Sequence, residues 1–261
     1  MKSLSIAATG MLAQQLNVEV ISNNIANMTT TGYKRQRAEF QDLIYQNLRR
    51  VGSTSSDAGT VVPTGIQLGV GVKAGSVYRI STQGNLTPTD NTYDLAIQGE
   101  GYFRVTLPSG EDAYTRAGAF QLNASGQIVT TDGYELSPSI TVPQDVRDVS
   151  INSQGQIEAF LDGQTNSTVL GQLEVVRFFN KAGLEARGGS LFTETAASGA
   201  PAAATPGSVG YGTLLQGYLE TSNVDSVGEI TNLISAQRAY EMNAKVITST
   251  DEMLSVASNL R

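Results

Sequence analysis

Both ends of this 261-residue chain carry an apolar stripe at helical spacing, and the long middle between them reads as β-strand. From Ser3 to about Asn27 the stripe passes through Leu4, Ala7, Met11, Val18, Ile21 and Ile25 in steps of three and four, broken only at Gln14. Asn27 and the cluster Thr29-Thr30-Thr31-Gly32 then stop the helix, since Asn and Gly accept the left-handed conformation of a helix C-terminus. From about Asn223 to Ser258, Leu233, Tyr240, Ile247 and Leu254 recur every seven residues, with Ala236 and Ala257 at intermediate positions. Asp225 or Ser226 is placed to cap this second helix, and Glu229 to stand in its first turn. At ~1.5 Å per residue the two helices span about 38 and about 55 Å. Stripes that long need something to lie against, and each end is the obvious partner for the other or for the ends of neighbouring chains. The expected fold class is therefore α+β: long N- and C-terminal helices pairing as a coiled coil, with a central all-β domain. In domain terms, 1–30 with 223–261 form the helical domain, 31–65 an extended linker or β segment with a mobile loop, and 66–222 the β domain.

Turn signals of hairpin type punctuate the middle at Gly84-Asn85, Ser109-Gly110, Ser125-Gly126, Asp132-Gly133, Gln154-Gly155 and Asp162-Gly163. Strand-like runs such as Tyr102–Leu107, Ser150-Ile151 and Leu173–Phe179 lie between them. The run Leu122–Ile128 is echoed at Ile151–Ile157, which predicts two similar hairpins and is too short for a solenoid repeat. Gly52–Thr60 is small and polar and Ala196–Gly207 is rich in Ala, Pro and Gly; both read as loops or mobile tips.

Composition removes most chemistry. The chain has no Cys and no His, so disulfides, thiolate metal sites, thiol nucleophiles and the commonest general base are absent. A net charge of −7 argues against phosphate-backbone binding, and nucleic acid is not an expected partner. Gly69-Val70-Gly71-Val72-Lys73-Ala74-Gly75 has the wrong spacing for a nucleotide loop and runs into the alternating Ser76–Ile80, so a flexible β segment is the better reading. The carboxylate sets Asp90/Asp94, Glu111/Asp112 and Asp251/Glu252 sit beside turns or on an outer helix face, where solvation or capping explains them. Asp162–Asn166 lacks the acidic density and distal Glu of a calcium loop. Lys2 followed by Leu4–Ala13 makes at best a weak signal peptide, because polar residues interrupt the run and the stripe continues past any cleavage point. No run reaches the ~18 apolar residues of a spanning helix, and the first helix carries amides where a membrane-surface helix carries Lys and Arg. No cofactor, metal or direct membrane insertion is expected.

Three motif blocks, in order along nearly the whole chain, then identify a relationship. Leu16–Asn27 followed by Thr30, Gly32, Tyr33 and Lys34 resembles the N-terminal signature of bacterial flagellar rod and hook proteins. Gly99-Glu100-Gly101-Tyr102-Phe103 and Tyr114–Phe120 resemble the centre of that family, and Gly217–Asp225, Ala236–Glu241 and Asp251–Leu254 its C-terminal part. Lys34–Leu43, the Gly/Ser/Thr stretch after it and Ser198–Pro201 are most similar to the distal-rod branch, with hook-type and proximal-rod paralogues as the alternatives.

The resemblance implies a structural protein and not an enzyme. It implies export through the flagellar type III apparatus without a cleaved signal, then helical polymerisation into the periplasm-spanning rod of the basal body. Terminal helices would form the inner tube and the β domain an outer wall turning inside the L and P rings. Implied partners are other copies of the chain, proximal rod subunits, the hook or hook–rod junction, the L and P ring proteins, the rod cap and the export apparatus. Isolated helices are marginal in water, so a seam split between the chain ends is expected to order on assembly. The expected self-assembly seam is Leu4, Met11, Val18, Ile21, Ile25, Leu233, Tyr240, Ile247 and Leu254. Asn23, Asn24, Asn27, Gly32 and Tyr33 form a family-motif joint, which either ends the helix or fixes the angle between tube and β domain. Segment 34–65 is expected to reach a neighbouring subunit and stiffen the rod.

Overall fold

The computed structural model describes residues 2–52, 64–161 and 166–259. It divides into two compact units: residues 1–25, 36–78 and 225–261 form one, and 26–35 with 79–224 the other.

The first unit is built on two helices, α1 (Lys2–Ala26) and α2 (Ser226–Asn259). Asp225 is the cap of α2: its Oδ1 accepts the Val227 N–H at 3.2 Å and its carbonyl accepts the Glu229 N–H at 2.9 Å. The helices touch at two levels. Asn24 Nδ2 donates to Glu229 Oε2 at 3.0 Å, and Gly10 lies against the Asn243 amide, whose Nδ2 would stand 3.0 Å from a Cβ placed there. Fourteen residues back along α1 is fourteen forward along α2, so the helices are antiparallel and in constant register. The residues of α2 that are buried are Glu229, Ala236 and Thr250, with Asn243 half-buried in the same seven-residue series. Small and polar side chains make this row, which lets the two backbones approach closely.

The segment between the helices in this unit is a two-stranded ribbon. Strand Gln36–Asp42 pairs with Val72–Arg79, and Tyr45–Arg49 pairs antiparallel with Ile66–Gly69. At the bend, the Leu43 N–H donates to the Gly71 carbonyl at 2.9 Å and the Val72 N–H to Thr9 Oγ1 of α1 at 3.3 Å. Gly71 has φ +125 and a side chain there would collide with Thr9 Oγ1, so only glycine allows this approach. The GxGxxxG run is thus a β segment, as its alternation suggests.

Among the described residues, the second unit has its strands within 79–224, interrupted by one short 3-10 turn at Lys181–Gly183. Its 7-stranded sheet has the spatial order Glu185–Gly188, Leu191–Thr193, Asp112–Thr115, Phe103–Thr106, Glu135–Ser137, Ile128–Thr130, Phe120–Leu122. A 3-stranded sheet (Val146–Ile151, Gln156–Leu161, Thr168–Gln172) stands beside shorter pairs. The core draws on Leu95, Phe103, Phe120, Leu136, Ile157 and Leu173, and a second cluster packs Tyr114 edge-on to Phe178 at 4.7 Å. Strand Thr213–Gln216 returns to pair with Leu95–Gln98, and Tyr218–Glu220 with Leu86–Pro88, so the last strands of the unit close against its first.

The Ser109-Gly110, Ser125-Gly126, Asp132-Gly133 and Gln154-Gly155 signals each turn a hairpin. Asp162-Gly163 falls outside the described residues, as do all but the first residue of Gly52–Thr60. Gly84-Asn85 makes no hairpin, because the strands on either side of it pair elsewhere. The sequence echo has a physical basis. Asn123 Oδ1 accepts the Ser125 and Gln127 N–H groups at 2.9 Å each, and Asn152 Oδ1 accepts those of Gln154 and Gln156 at 3.0 and 2.9 Å. The same Asn-anchored turn therefore shapes both hairpins. The Ala196–Gly207 reading as loop needs one correction. Ala202–Ala204 is a strand paired with Val175–Arg177, its backbone hydrogen bonds outweighing a composition that reads as loop.

Candidate functional site

Two buried polar clusters organise the motif residues, one in each unit. In the helical unit Asn24, 1% exposed, uses its whole amide. Its Oδ1 accepts the Gln36 N–H and its Nδ2 donates to the Gln36 carbonyl, both at 2.8 Å, so the side chain pairs with Gln36 as a neighbouring strand would. The same Nδ2 reaches Glu229, also buried. One residue thereby joins α1, the start of the ribbon and the first turn of α2. Replacing Asn24 with Ala takes a partner from the buried Glu229, at about 1–3 kcal/mol, and two from the half-buried Gln36 backbone, at less. The expected result is an earlier thermal transition by circular dichroism, with faster amide exchange at Gln36; an unchanged melting curve counts against the cluster's role.

The second cluster is ionic. Glu220, 1% exposed, accepts from Lys34 Nζ and from Arg116 Nε, both at 2.5 Å, and from the Gly84 N–H at 2.9 Å. Arg116 spends its remaining donors on backbone carbonyls: Nη1 on Gly101 at 2.5 Å, Nη2 on Ile97 and Gly99 at 2.8 and 2.6 Å. Lys34 Nζ also donates to the Thr82 carbonyl at 2.9 Å. Burial alone pushes the Glu220 carboxyl up, but the Arg116 guanidinium, then the Lys34 ammonium and its hydrogen bond, outweigh it and hold the group below the usual carboxylate range. These contacts clamp distant stretches of the chain to one another.

Gly32 completes it. The Gly32 N–H donates to the Glu220 carbonyl at 2.8 Å, φ is +68, and a Cβ would stand 2.7 Å from both Ala117 N and Arg116 C. Nearby, Asn223 Oδ1 accepts the Arg35 N–H at 2.7 Å while its Nδ2 donates to the Ile80 and Thr82 carbonyls at 2.9 and 3.0 Å.

Of the motif-joint residues, Asn24 and Gly32 are buried, Asn27 and Tyr33 half-buried and Asn23 exposed. Asn27 closes a turn by accepting from Thr30 Oγ1 at 3.1 Å. Of the seam residues, Ile21 is buried, Leu4, Met11, Val18, Ile25, Leu233 and Ile247 are half-buried, and Tyr240 and Leu254 stay 43% and 40% exposed. In the sequence Lys34, Arg116 and Glu220 stand out only as motif members. Arg116 and Glu220 are each a lone charge inside an uncharged block, where burial demands an opposite charge, whereas Lys34, followed by Arg35 and Arg37, carries no such signal.

Known families match the segments that supply these clusters. Residues 4–34, which hold Asn24, Gly32 and Lys34, match the flagella basal body rod protein family. Residues 96–159, with Arg116, match the flagellar hook protein FlgE/F/G D1 domain, and residues 215–260, with Glu220 and Glu229, the C-terminal domain of flagellar basal body rod FlgEFG proteins. Among curated proteins, the flagellar basal-body rod protein FlgG of Caulobacter vibrioides is 61% identical over 261 residues, all of both chains. That of Agrobacterium fabrum is 52% identical over 99% of this chain and 98% of its own, and that of Buchnera aphidicola from Acyrthosiphon pisum 49% identical over 99% of each. With identity this high along the full length, the chain belongs to the FlgG family of flagellar basal-body rod proteins and is a structural subunit of the rod.

Proposed function

We propose that this rod subunit polymerises helically into the distal rod, the driveshaft between motor and hook, with α1 and α2 forming a coiled-coil inner tube. One observation carries the proposal. The buried residues of α2, Glu229, Ala236 and Thr250, fall on one seven-residue row with the half-buried Asn243, whereas no residue of the apolar heptad row Leu233, Tyr240, Ile247, Leu254 is buried. A regular apolar row without its own cover suits the helices of neighbouring copies. Tyr240→Ala and Leu254→Ala are expected to leave the thermal stability of the monomer within about 0.5 kcal/mol, as for exposed sites. In the assembled rod, where the same groups are buried, each loses about 2–5 kcal/mol and rods fail to form. Circular dichroism of the purified chain and electron microscopy of basal bodies check both halves; wild-type rods from both variants overturn the seam.

The finer assignments follow the same reading. The outer ribbon strands, with Ile44, Leu48, Val51, Ile66 and Leu68 exposed, suit a segment that reaches a neighbouring subunit and stiffens the rod. Proximal rod subunits, hook or hook–rod junction, L and P ring proteins and rod cap are the proposed contacts of the assembled chain. Export through the type III apparatus is the proposed route. Electron microscopy of basal bodies from a strain deleted for this gene tests the placement. A rod cut short before the outer-membrane ring, without a hook, supports the distal assignment; a complete rod lacking only the hook makes the chain a hook-type relative.

A further inference from the structure

Phe179 is fully exposed, although a buried Phe side chain is worth about 1.5–3 kcal/mol. It is held there. Its neighbour Phe178 is locked against Tyr102 and Tyr114, with ring centroids 6.1 and 4.7 Å away, so the alternation of the extended chain turns Arg177 and Phe179 outward together. Arg177 is also fixed: Nη1 donates to the Gly210 carbonyl at 2.9 Å and the guanidinium lies over the Tyr211 ring, 5.9 Å from its centroid. Val209, beside Gly210, is fully exposed too. Two bare apolar side chains around a positioned arginine have the make-up of an interface anchor.

The same unit carries a matching hole. A cavity of about 320 Å³, lined largely by threonines, includes Thr30, Thr115, Ala117, Thr131 and Leu191, with Asp132 on its lining. A cavity of about 150 Å³ suffices for benzene, so this one has room for a benzyl group. Asp132 is exposed, and among the described residues neither Asp132 nor Arg177 is in an ion pair.

We propose that Phe179 of one copy of this chain docks into the Ala117–Leu191 cavity of the next, with Arg177 meeting Asp132 across the contact. Knob and hole occupy different places on one molecule, so the contact is heterologous. Repeating it adds subunits in an open series, the geometry a helical rod requires. The inference rests on the reading that copies of the chain assemble with one another. It adds a contact between β-rich units to the one between helices.

The test is a charge exchange in cells whose only copy of the gene is the variant, read as complete rods in isolated basal bodies. Arg177→Asp, Asp132→Arg and Phe179→Asp are each expected to weaken the contact about tenfold or more and to reduce rod number accordingly. Arg177→Asp combined with Asp132→Arg is expected to restore rods. Unchanged melting of the purified variants shows that folding is intact, as befits exposed positions. Because the chain has no cysteine, Phe179→Cys with Thr131→Cys gives a second readout: oxidised rods should yield a ladder of covalent oligomers. Wild-type rod numbers from Phe179→Asp, or a combined exchange no better than its single members, overturn the contact. Intact rods without a ladder do so as well, and leave the assembly reading standing. Absence of this chain from purified rods removes the assembly reading itself.

Discussion

Glu220→Gln is expected to destabilise the β-rich unit by about 3–5 kcal/mol, the cost of leaving buried cations without their counter-charge. Lys34 and Arg116 are each 5% exposed, so neither can turn to water when the carboxylate is gone. Urea unfolding followed by near-ultraviolet circular dichroism should show a lower midpoint at an unchanged slope. Adding Lys34→Met should recover part of the loss, because it removes one of the stranded charges, and the double variant should be less damaged than the sum of the singles. Arg116→Leu should not recover it, since the Gly101, Ile97 and Gly99 carbonyls lose their donor at the same time. A Gln variant that unfolds at the wild-type midpoint removes the cluster from the account of stability. The pH dependence has a definite sign. A folded carboxyl held below its ordinary value of 4.5 contributes stability that is complete above that value and is lost as pH falls through the lower, folded one. Acid unfolding of this unit should therefore begin below pH 4.5, and Glu220→Gln should flatten that part of the profile.

Gly32→Val is expected to lose about 3 kcal/mol or more, because a left-handed φ costs ~1–2 kcal/mol for an ordinary residue, more when β-branched, and a steric term adds to it. The steric term is backbone against backbone: a Cβ 2.7 Å from Ala117 N and Arg116 C cannot be relieved by a rotamer change. It would push on the strand end that carries Arg116, and on the Glu220 carbonyl that accepts the Gly32 N–H. Gly32→Asn separates the two causes, since Asn tolerates φ +68 but still brings a Cβ. An Asn variant nearly as damaged as an Ala variant assigns the effect to close approach; a mild Asn variant assigns it to backbone conformation. Normal rod assembly and an unshifted melting curve for Gly32→Val leave Gly32 as a helix terminator only.

Both helices were legible to within a few residues, because a three-four apolar spacing has no other regular structure to serve and Asp225 is a strong cap. Four of the hairpins were equally legible from their X-Gly turns. The misread places share a cause. Gly84-Asn85 has turn composition, but the Gly84 N–H is used by Glu220, 136 residues away in sequence. Ala202–Ala204 has loop composition, but its backbone finds a strand to pair with. Which face of α2 is covered was not legible either. The apolar heptad row is the stronger signal in the sequence, yet within this subunit the row one turn away, Glu229–Ala236–Asn243–Thr250, is the one that meets α1, since Asn24 needs Glu229 and Gly10 admits Asn243.

From the amino-acid order alone came the helix–β–helix plan, the loss of His and Cys chemistry and the family resemblance, all of which depend on neighbours in sequence or on composition. The tertiary structure alone decided that Lys34, Arg116 and Glu220 form one buried cluster and that the strands Gln36–Asp42, Tyr45–Arg49, Ile66–Gly69 and Val72–Arg79 pair as a ribbon outside the β-rich unit. It also decided that Phe179 stands bare while Phe178 is buried. The reason is physical. Helical spacing and turns express local free energies that each short segment carries with it, whereas a buried charge or a bare ring is defined by what lies across from it, and that is set only when strands more than a hundred residues apart close on each other.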